Sequence, residues 1–149
     1  MIHLDDRGPV ALVTIDRQER RNALDHEALE QLLDAHQRSA GARVVVLTGA
    51  GGHFCAGADL SGVEDTSFGE LLREVLATLR DDPRPVLAAC DGAALGAGTQ
   101  LAVACDLRVA TAATRFGIPA AKLGLAVDRW TADRLTNLAG GGPARAMLL

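Results

Sequence analysis

The stretch from Pro85 to Val109 constrains the fold of this chain more than any other. Val86 to Cys90 is a continuous apolar run behind a proline, the pattern of a strand buried on both faces. Asp91-Gly92 then turns the chain. Gly96-Ala97-Gly98 follows, and beyond it Leu101, Ala102, Ala104 and Cys105 fall at helical spacing, so the glycines stand at a helix start. A helix start leaves N–H groups unpaired and carries roughly half a positive charge. With only small residues there, no side chain separates those groups from a ligand. The stretch is therefore either a backbone site for a polarised or anionic oxygen or a glycine-rich turn made for close packing.

Around it, strands and helices alternate. Val10 to Ile15 has the pattern of a strand, with Ile2 to Leu4 as a hairpin partner across the turn residues Asp6-Arg7-Gly8-Pro9. After the charged loop Asp16 to Asn22, Asp25 is placed to cap a helix that carries Ala28, Leu29, Leu32, Leu33 and His36 on one face and ends at Gly41. Arg43 to Thr48 is a valine-rich strand that runs into a second glycine-rich loop, Gly49 to Leu60. Phe68, Leu71, Leu72, Val75, Leu76 and Leu79 repeat with helical period, and Asp81 to Pro85 breaks that helix. Past Ala110 the chain turns irregular through Arg115 to Pro119. Asp128 or Thr131 caps a further helix to about Leu138, and Gly140 to Pro143 opens another. That last helix has barely two turns before Leu149, too few to be stable alone, so the natural chain is expected to continue. The alternation predicts an α/β fold with a largely parallel sheet and ligands at the carboxyl ends of strands, where both glycine loops lie.

Composition narrows the function classes. A chain of 149 residues is the size of one domain, taken as residues 1–149. A net charge of −4 and 3% aromatic residues supply neither a basic stripe nor stacking platforms, so no nucleic acid is expected. No run approaches the roughly 18 apolar residues of a membrane span, and Met1 to Asp6 does not have a leader's pattern, so a cytoplasmic protein without membrane insertion is expected. Cys55, Cys90 and Cys105 cannot all pair and lie in apolar surroundings, as reduced thiols would. Of the histidines His3, His26, His36 and His53, only His53 has a neighbouring ligand type, Cys55, and two such residues do not make a metal site. Neither glycine loop carries the P-loop or dinucleotide signature.

Four motifs resemble, in order and at similar intervals, those of the enoyl-CoA hydratase/isomerase (crotonase) superfamily. They are Arg21-Asn22-Ala23-Leu24, His53-Phe54-Cys55-Ala56-Gly57-Ala58-Asp59-Leu60, Asp91-Gly92 with Gly96-Ala97-Gly98-x-Gln100-Leu101, and Cys105-Asp106-Leu107-Arg108. The resemblance implies a crotonase-type spiral of ββα units. It also implies a C-terminal helical region, missing from this chain, that helps close the pocket and build trimers or dimers of trimers. The family's ligand is an acyl-CoA, with coenzyme A as part of the ligand and no prosthetic group. By motif position, the amides of Ala58 and Ala97 would form the oxyanion hole for the thioester carbonyl. The coenzyme would lie along Arg21, Asn22, Ala23 and Leu24 and along Ala56, Ala58, Asp59 and Leu60. Arg20 and Arg21 are either phosphate contacts or solvated loop charges. Gly96, Ala97, Gln100, Leu123 and Trp130 would border the acyl pocket, Trp130 equally as core or as pocket wall.

The departures from the family carry as much. Hydratases of this family use two glutamates, one in the helix after the glycine loop and one just after the Phe-Gly-x-Pro segment; here those positions hold Gln100 and Ala120. Glutamine cannot exchange a proton near neutral pH, and alanine has no polar group to offer. Asp128 stands where some members place a catalytic aspartate, and it equally suits a helix cap; Asp59 is a poor candidate base. Gln100 together with Lys122 to Trp130 resembles an actinobacterial, especially mycobacterial, branch in which a hydratase-like protein binds long acyl-CoA and hands it to a fatty-acid synthase component. The expected function is acyl-CoA binding with little or no hydratase activity. Its alternative is an active lyase, isomerase or thioester hydrolase that uses Asp128.

Overall fold

The structure is a computed structural model that describes residues 1–59 and 66–149. It begins with a hairpin, β1 (Ile2–Arg7) and β2 (Val10–Ile15), paired antiparallel from Ile2↔Ile15 to Arg7↔Val10. In β2 the alternating residues Ala11, Val13 and Ile15 are buried, so one face of the hairpin lies on the core. Helix α1 (His26–Arg38) starts where the Ala28 amide donates to Oδ1 of Asp25, and it buries Ala28, Leu29, Leu32 and Ala35. It ends at Arg38 rather than at Gly41, because the Ser39 amide and hydroxyl close the last turn on the Ala35 and His36 carbonyls.

Strand β3 (Val44–Gly49), helix α2 (Thr66–Arg80) and strand β4 (Val86–Cys90) follow as expected. Then come β5 (Ala93–Leu95), α3 (Ala97–Ala104), β6 (Leu107–Ala110), β7 (Arg115–Gly117), α4 (Arg129–Ala139) and α5 (Gly141–Leu148). The main sheet has the order β1-β2-β3-β4-β6 and is parallel except at the hairpin. A second, two-stranded parallel sheet pairs β5 with β7. Its strands of three residues occupy the segments expected to be turn and irregular chain. A strand that short shows no periodicity in the sequence and forms here because Leu95 and Gly117 are drawn together at the start of α3.

Leu29, Phe54, Val86 and Leu101 fill the interior between the sheet and α1, α2 and α3, each 0% exposed. Burying one such side chain contributes about 1.5–3 kcal/mol. A smaller cluster of Val103, Ile118, Leu135 and Ala144 lies beneath α4 and α5. Trp130 packs against both clusters, and the Arg80 guanidinium stands 5.7 Å from its ring centroid, so α4 is tied to α2 by apolar and cation–π contact together. Among the described residues no helix is long and apolar enough to cross a membrane.

Candidate functional site

The two glycine loops meet. The first is laced to two neighbours by backbone pairing: Phe54 and Cys55 donate to Asp91 and Ala93, and Leu95 donates back to Cys55. On its other side the Leu24 amide donates to the Gly57 carbonyl at 2.8 Å, and the Asp59 amide donates to the Leu24 carbonyl at 2.7 Å. This parallel bridge between Leu24 and Ala58 fixes which way the intervening groups point. A trans peptide sends its C=O and N–H in opposite directions, so with the Gly57 carbonyl aimed at Leu24, the Ala58 N–H is aimed away from it.

The second loop supplies a matching group. Gly96 caps α3 with no side chain, its own amide is held by the Gly117 carbonyl at 2.8 Å, and Ala97 is the first helical residue. Among the described residues neither the Ala58 nor the Ala97 amide donates to an acceptor. Gly57 (φ +111°) and Gly96 (φ +53°) take the left-handed backbone that glycine tolerates. A Cβ on Gly57 would fall 3.0 Å from the Leu95 carbonyl oxygen and 3.7 Å from the Ala97 nitrogen, so the loops approach to backbone contact. Two unpaired N–H groups placed this way can hold one developing oxyanion, one of them with the helix dipole behind it.

Ala58 and Ala97 both line a cleft of about 650 Å³. Ala56 to Ala58 line one side and Leu95 to Ala97 with Gln100 the floor; α2 adds Gly69, Glu70, Leu72, Arg73 and Leu76, and the segments 118–120 and 125–128 close the far wall. The walls are mostly aliphatic, so the cleft suits an apolar chain anchored by a polar head. At its rim the Gln100 amide nitrogen donates to Oδ2 of Asp128 at 3.1 Å and to the Thr131 hydroxyl oxygen at 3.0 Å. A carboxylate only accepts, which fixes the orientation of the glutamine and leaves Oε1 as an acceptor with no donor among the described residues. Asp128 also caps α4: the Thr131 amide donates to Oδ1 at 3.0 Å and the Thr131 hydroxyl to Oδ2 at 2.6 Å.

Of the residues expected at the site, Ala56, Ala58, Gly96, Ala97, Gln100, Ala120 and Asp128 line this one cleft. Asp128 caps α4, one of its two expected roles, and is also a lining residue of the cleft. Trp130, expected equally as core or as pocket wall, is not among the lining residues; it is partly buried, packed against both apolar clusters with Arg80 over its ring. Asn22, Ala23 and Leu24 are buried, so their side chains cannot reach a coenzyme and only their backbone is available. Asn22 is a clip, accepting from the Arg17 amide and donating to the Ala50 and His53 carbonyls. Arg20 and Arg21 are exposed and are not among the lining residues, although the Arg21 carbonyl accepts from the amide of Ala56, which is one of them. Asp59 is buried in an ion pair with Arg17, Nη1 to Oδ2 at 2.9 Å. Leu60 lies outside the described residues, and so does the side chain of Leu123.

Sequence reasoning missed Glu70 and Arg73, whose helical positions have the pattern of a solvated face, and the link between Gln100 and Asp128. It missed Arg17 entirely. Burial pushes the Cys55 and Cys105 thiols up to about 12 and the Cys90 thiol up to about 11, which removes them as nucleophiles. Among the described residues no cluster of three or more His, Cys, Asp or Glu could hold a metal ion.

Comparison with known proteins places this geometry among relatives. The family model described as enoyl-CoA hydratase/isomerase matches residues 5–149. A probable enoyl-CoA hydratase echA6 from Mycobacterium leprae is 44% identical over 156 residues, covering 100% of this chain and 63% of its own length. The short-chain-enoyl-CoA hydratase of Clostridium acetobutylicum is 36% identical, covering 97% and 59%. A crystal structure of a putative enoyl-CoA hydratase/isomerase family protein from Hyphomonas neptunium superimposes with a TM-score of 0.90 at 31% identity, covering 99% of this chain and 61% of that one. The chain thus spans about three-fifths of the length of the relatives it matches.

Proposed function

Because the chain belongs to the enoyl-CoA hydratase/isomerase family, we propose that it binds fatty acyl-CoA thioesters and adds little or no water to them. One observation carries this: Ala58 and Ala97, whose amides are unpaired among the described residues, line the same apolar cleft as Gln100 and Ala120, the positions at which the resemblance implies the family's two glutamates. The amides would polarise the thioester carbonyl, while neither replacement can carry a proton. General acid–base help is worth about 10²–10⁴ per group, so losing both leaves a binder whose turnover is close to background. Coenzyme A enters as part of the ligand, and its path along residues 20–24 and 56–60 belongs to the same proposal. So do assembly into a homo-oligomer and transfer of the thioester to a fatty-acid synthase component.

A panel of acyl-CoAs from short to long, run in parallel for thermal shift and for hydration of crotonyl-CoA, tests it. A ligand at 100 times its Kd adds about 2.7 kcal/mol to the stability of the protein. Stabilisation with background hydration is expected; hydration at a rate usual for hydratases of this family overturns the proposal.

A second reading makes Asp128 the working residue of an active lyase, isomerase or thioester hydrolase, since its carboxylate lines the cleft. Against it, both oxygens already accept hydrogen bonds, from Gln100 and from the Thr131 amide and hydroxyl. An Asp128→Asn variant that loses a measured turnover while it stays folded would favour this reading.

A further inference from the structure

We propose that Arg17 is the positioning residue of the Ala58 amide, and that it gives the cleft its preference for a thioester carbonyl over a ligand without one. The proposal rests on the acyl-CoA reading above. It starts from a residue that lies outside the cleft lining and outside the four motifs.

The direction of the Ala58 N–H is set by the bridge between Leu24 and Ala58, and Arg17 grips that bridge from both sides. Its Nη1 donates to the Ala23 carbonyl at 3.0 Å and pairs with Oδ2 of Asp59 at 2.9 Å. Its Nη2 pairs with Oδ2 of Asp25 at 3.1 Å. Ala23 and Asp25 flank Leu24, and Asp59 follows Ala58, so one guanidinium spans both strands of the bridge. The backbone of Arg17 is anchored in turn: its amide donates to Oδ1 of Asn22, and its carbonyl accepts from the Asn22 amide. Asp25 also caps α1 through Oδ1, which ties the arrangement to a helix rather than to a loose loop.

A planar fork of fixed donors suits this task and an ammonium does not. Arginine meets three acceptors in set directions, whereas lysine offers a flexible point charge. The Arg17 side chain is 21% exposed and that of Asp59 only 9%, so the pair is shielded enough to hold its geometry. Oxyanion donors must stand about 2.7–3.1 Å from the oxygen they serve, and a small rotation of the Gly57–Ala58 peptide takes Ala58 out of that range.

The test compares octanoyl-CoA with S-octyl-CoA, a thioether in which CH₂ replaces the carbonyl, by isothermal titration on the wild-type chain and on Arg17→Met and Arg17→Lys. The 13C shift of bound [1-13C]octanoyl-CoA is recorded alongside. One ground-state hydrogen bond corresponds to about fivefold in affinity. The wild type is expected to prefer the thioester by at least about that factor. Arg17→Met should lower the thioester-to-thioether ratio about fivefold, the loss of one of the two donors, and move the carbonyl shift upfield, with Arg17→Lys between the two. A merely structural role would weaken both ligands together and leave their ratio unchanged. If Arg17→Met does not fold, Arg17→Lys decides alone, and a wild-type ratio and carbonyl shift in it overturn the proposal. Retention of both in a folded Arg17→Met does the same and leaves the acyl-CoA reading standing. A wild type that binds neither ligand refutes the acyl-CoA reading itself, and one that binds both equally refutes the role of the two amides.

Discussion

Replacing Gln100 by glutamate puts a carboxylate where this chain has an amide, and the surroundings are built against it. The Gln100 amide nitrogen lies 3.1 Å from Oδ2 of Asp128 and 3.0 Å from the Thr131 hydroxyl oxygen. In Gln100→Glu two carboxylates would share that space. Losing the donor costs about 1 kcal/mol. Two like charges about 4 Å apart repel by about 1 kcal/mol in water and about 4 kcal/mol at the effective dielectric of a protein surface. Asp128 is exposed, so the lower part of that range applies, and the variant should be less stable by about 2–4 kcal/mol at pH 8. For a chain of this size that is a fall in Tm of about 5–15 °C. The pH dependence has a definite sign. Repulsion raises the folded-state pKa of one carboxyl in the variant above its unfolded value, so the folded state gains a proton first as pH falls. The penalty is therefore present at pH 8 and disappears as pH falls and the two carboxyls come to share a proton. Scanning calorimetry from pH 8 to pH 5 reads it directly, and adding Asp128→Asn should relieve it at pH 8. Hydration of crotonyl-CoA should stay at background in the variant, because Ala120 still offers no second proton carrier. A Gln100→Glu protein with the wild-type Tm at pH 8 would refute the contact between Gln100 and Asp128.

Three further outcomes are expected. A Cβ on Gly98 would run into the carbonyl group of Cys55, so Gly98→Ala should push α3 away from the first loop, cost about 1–3 kcal/mol, and weaken acyl-CoA binding; wild-type Tm and Kd would contradict this. Burial works against the charge on Asp82, whose side chain is 1% exposed, but hydrogen bonds from Arg84 and His36 hold its pKa down at about 2 against an ordinary 3.8. The folded state thus gains about 1–2 kcal/mol, after solvent screening, that is present above pH 4 and lost as pH falls toward 2. Asp82→Asn should be less stable at pH 7 and should flatten Tm across that acid window; an unchanged slope would rule the contribution out. The buried, elevated thiols predict that Cys55, Cys90 and Cys105 resist alkylation at pH 8 in the native protein and react together on unfolding, counted with a thiol reagent.

What could be read from the sequence divides by the distance over which the information acts. The long elements were legible because their signals are local: the helical repeat from Phe68 to Leu79, the Asp25 cap, and the apolar runs of β3 and β4 each decide their own structure. Ala58 and Ala97 were legible only through the family resemblance, by motif position; the glycines alone marked a helix start at residues 96–98 and a second loop at a strand end. The pairings were not. Gln100 and Asp128 are 28 residues apart, and each alone has the pattern of a polar residue on a helix or at its cap. Arg17 stands in a run of charges that a sequence presents as solvated loop, yet it meets Asp59 across the whole of α1 and β3. β5 and β7 exist only as partners, each too short to be a strand by itself. The site therefore depends on two kinds of information in this chain. Its donors are set by local glycine geometry, while the clamps that aim them come from long-range ion pairs and hydrogen bonds. A substitution at Arg17 should accordingly disturb ligand selection more than it disturbs the elements around it.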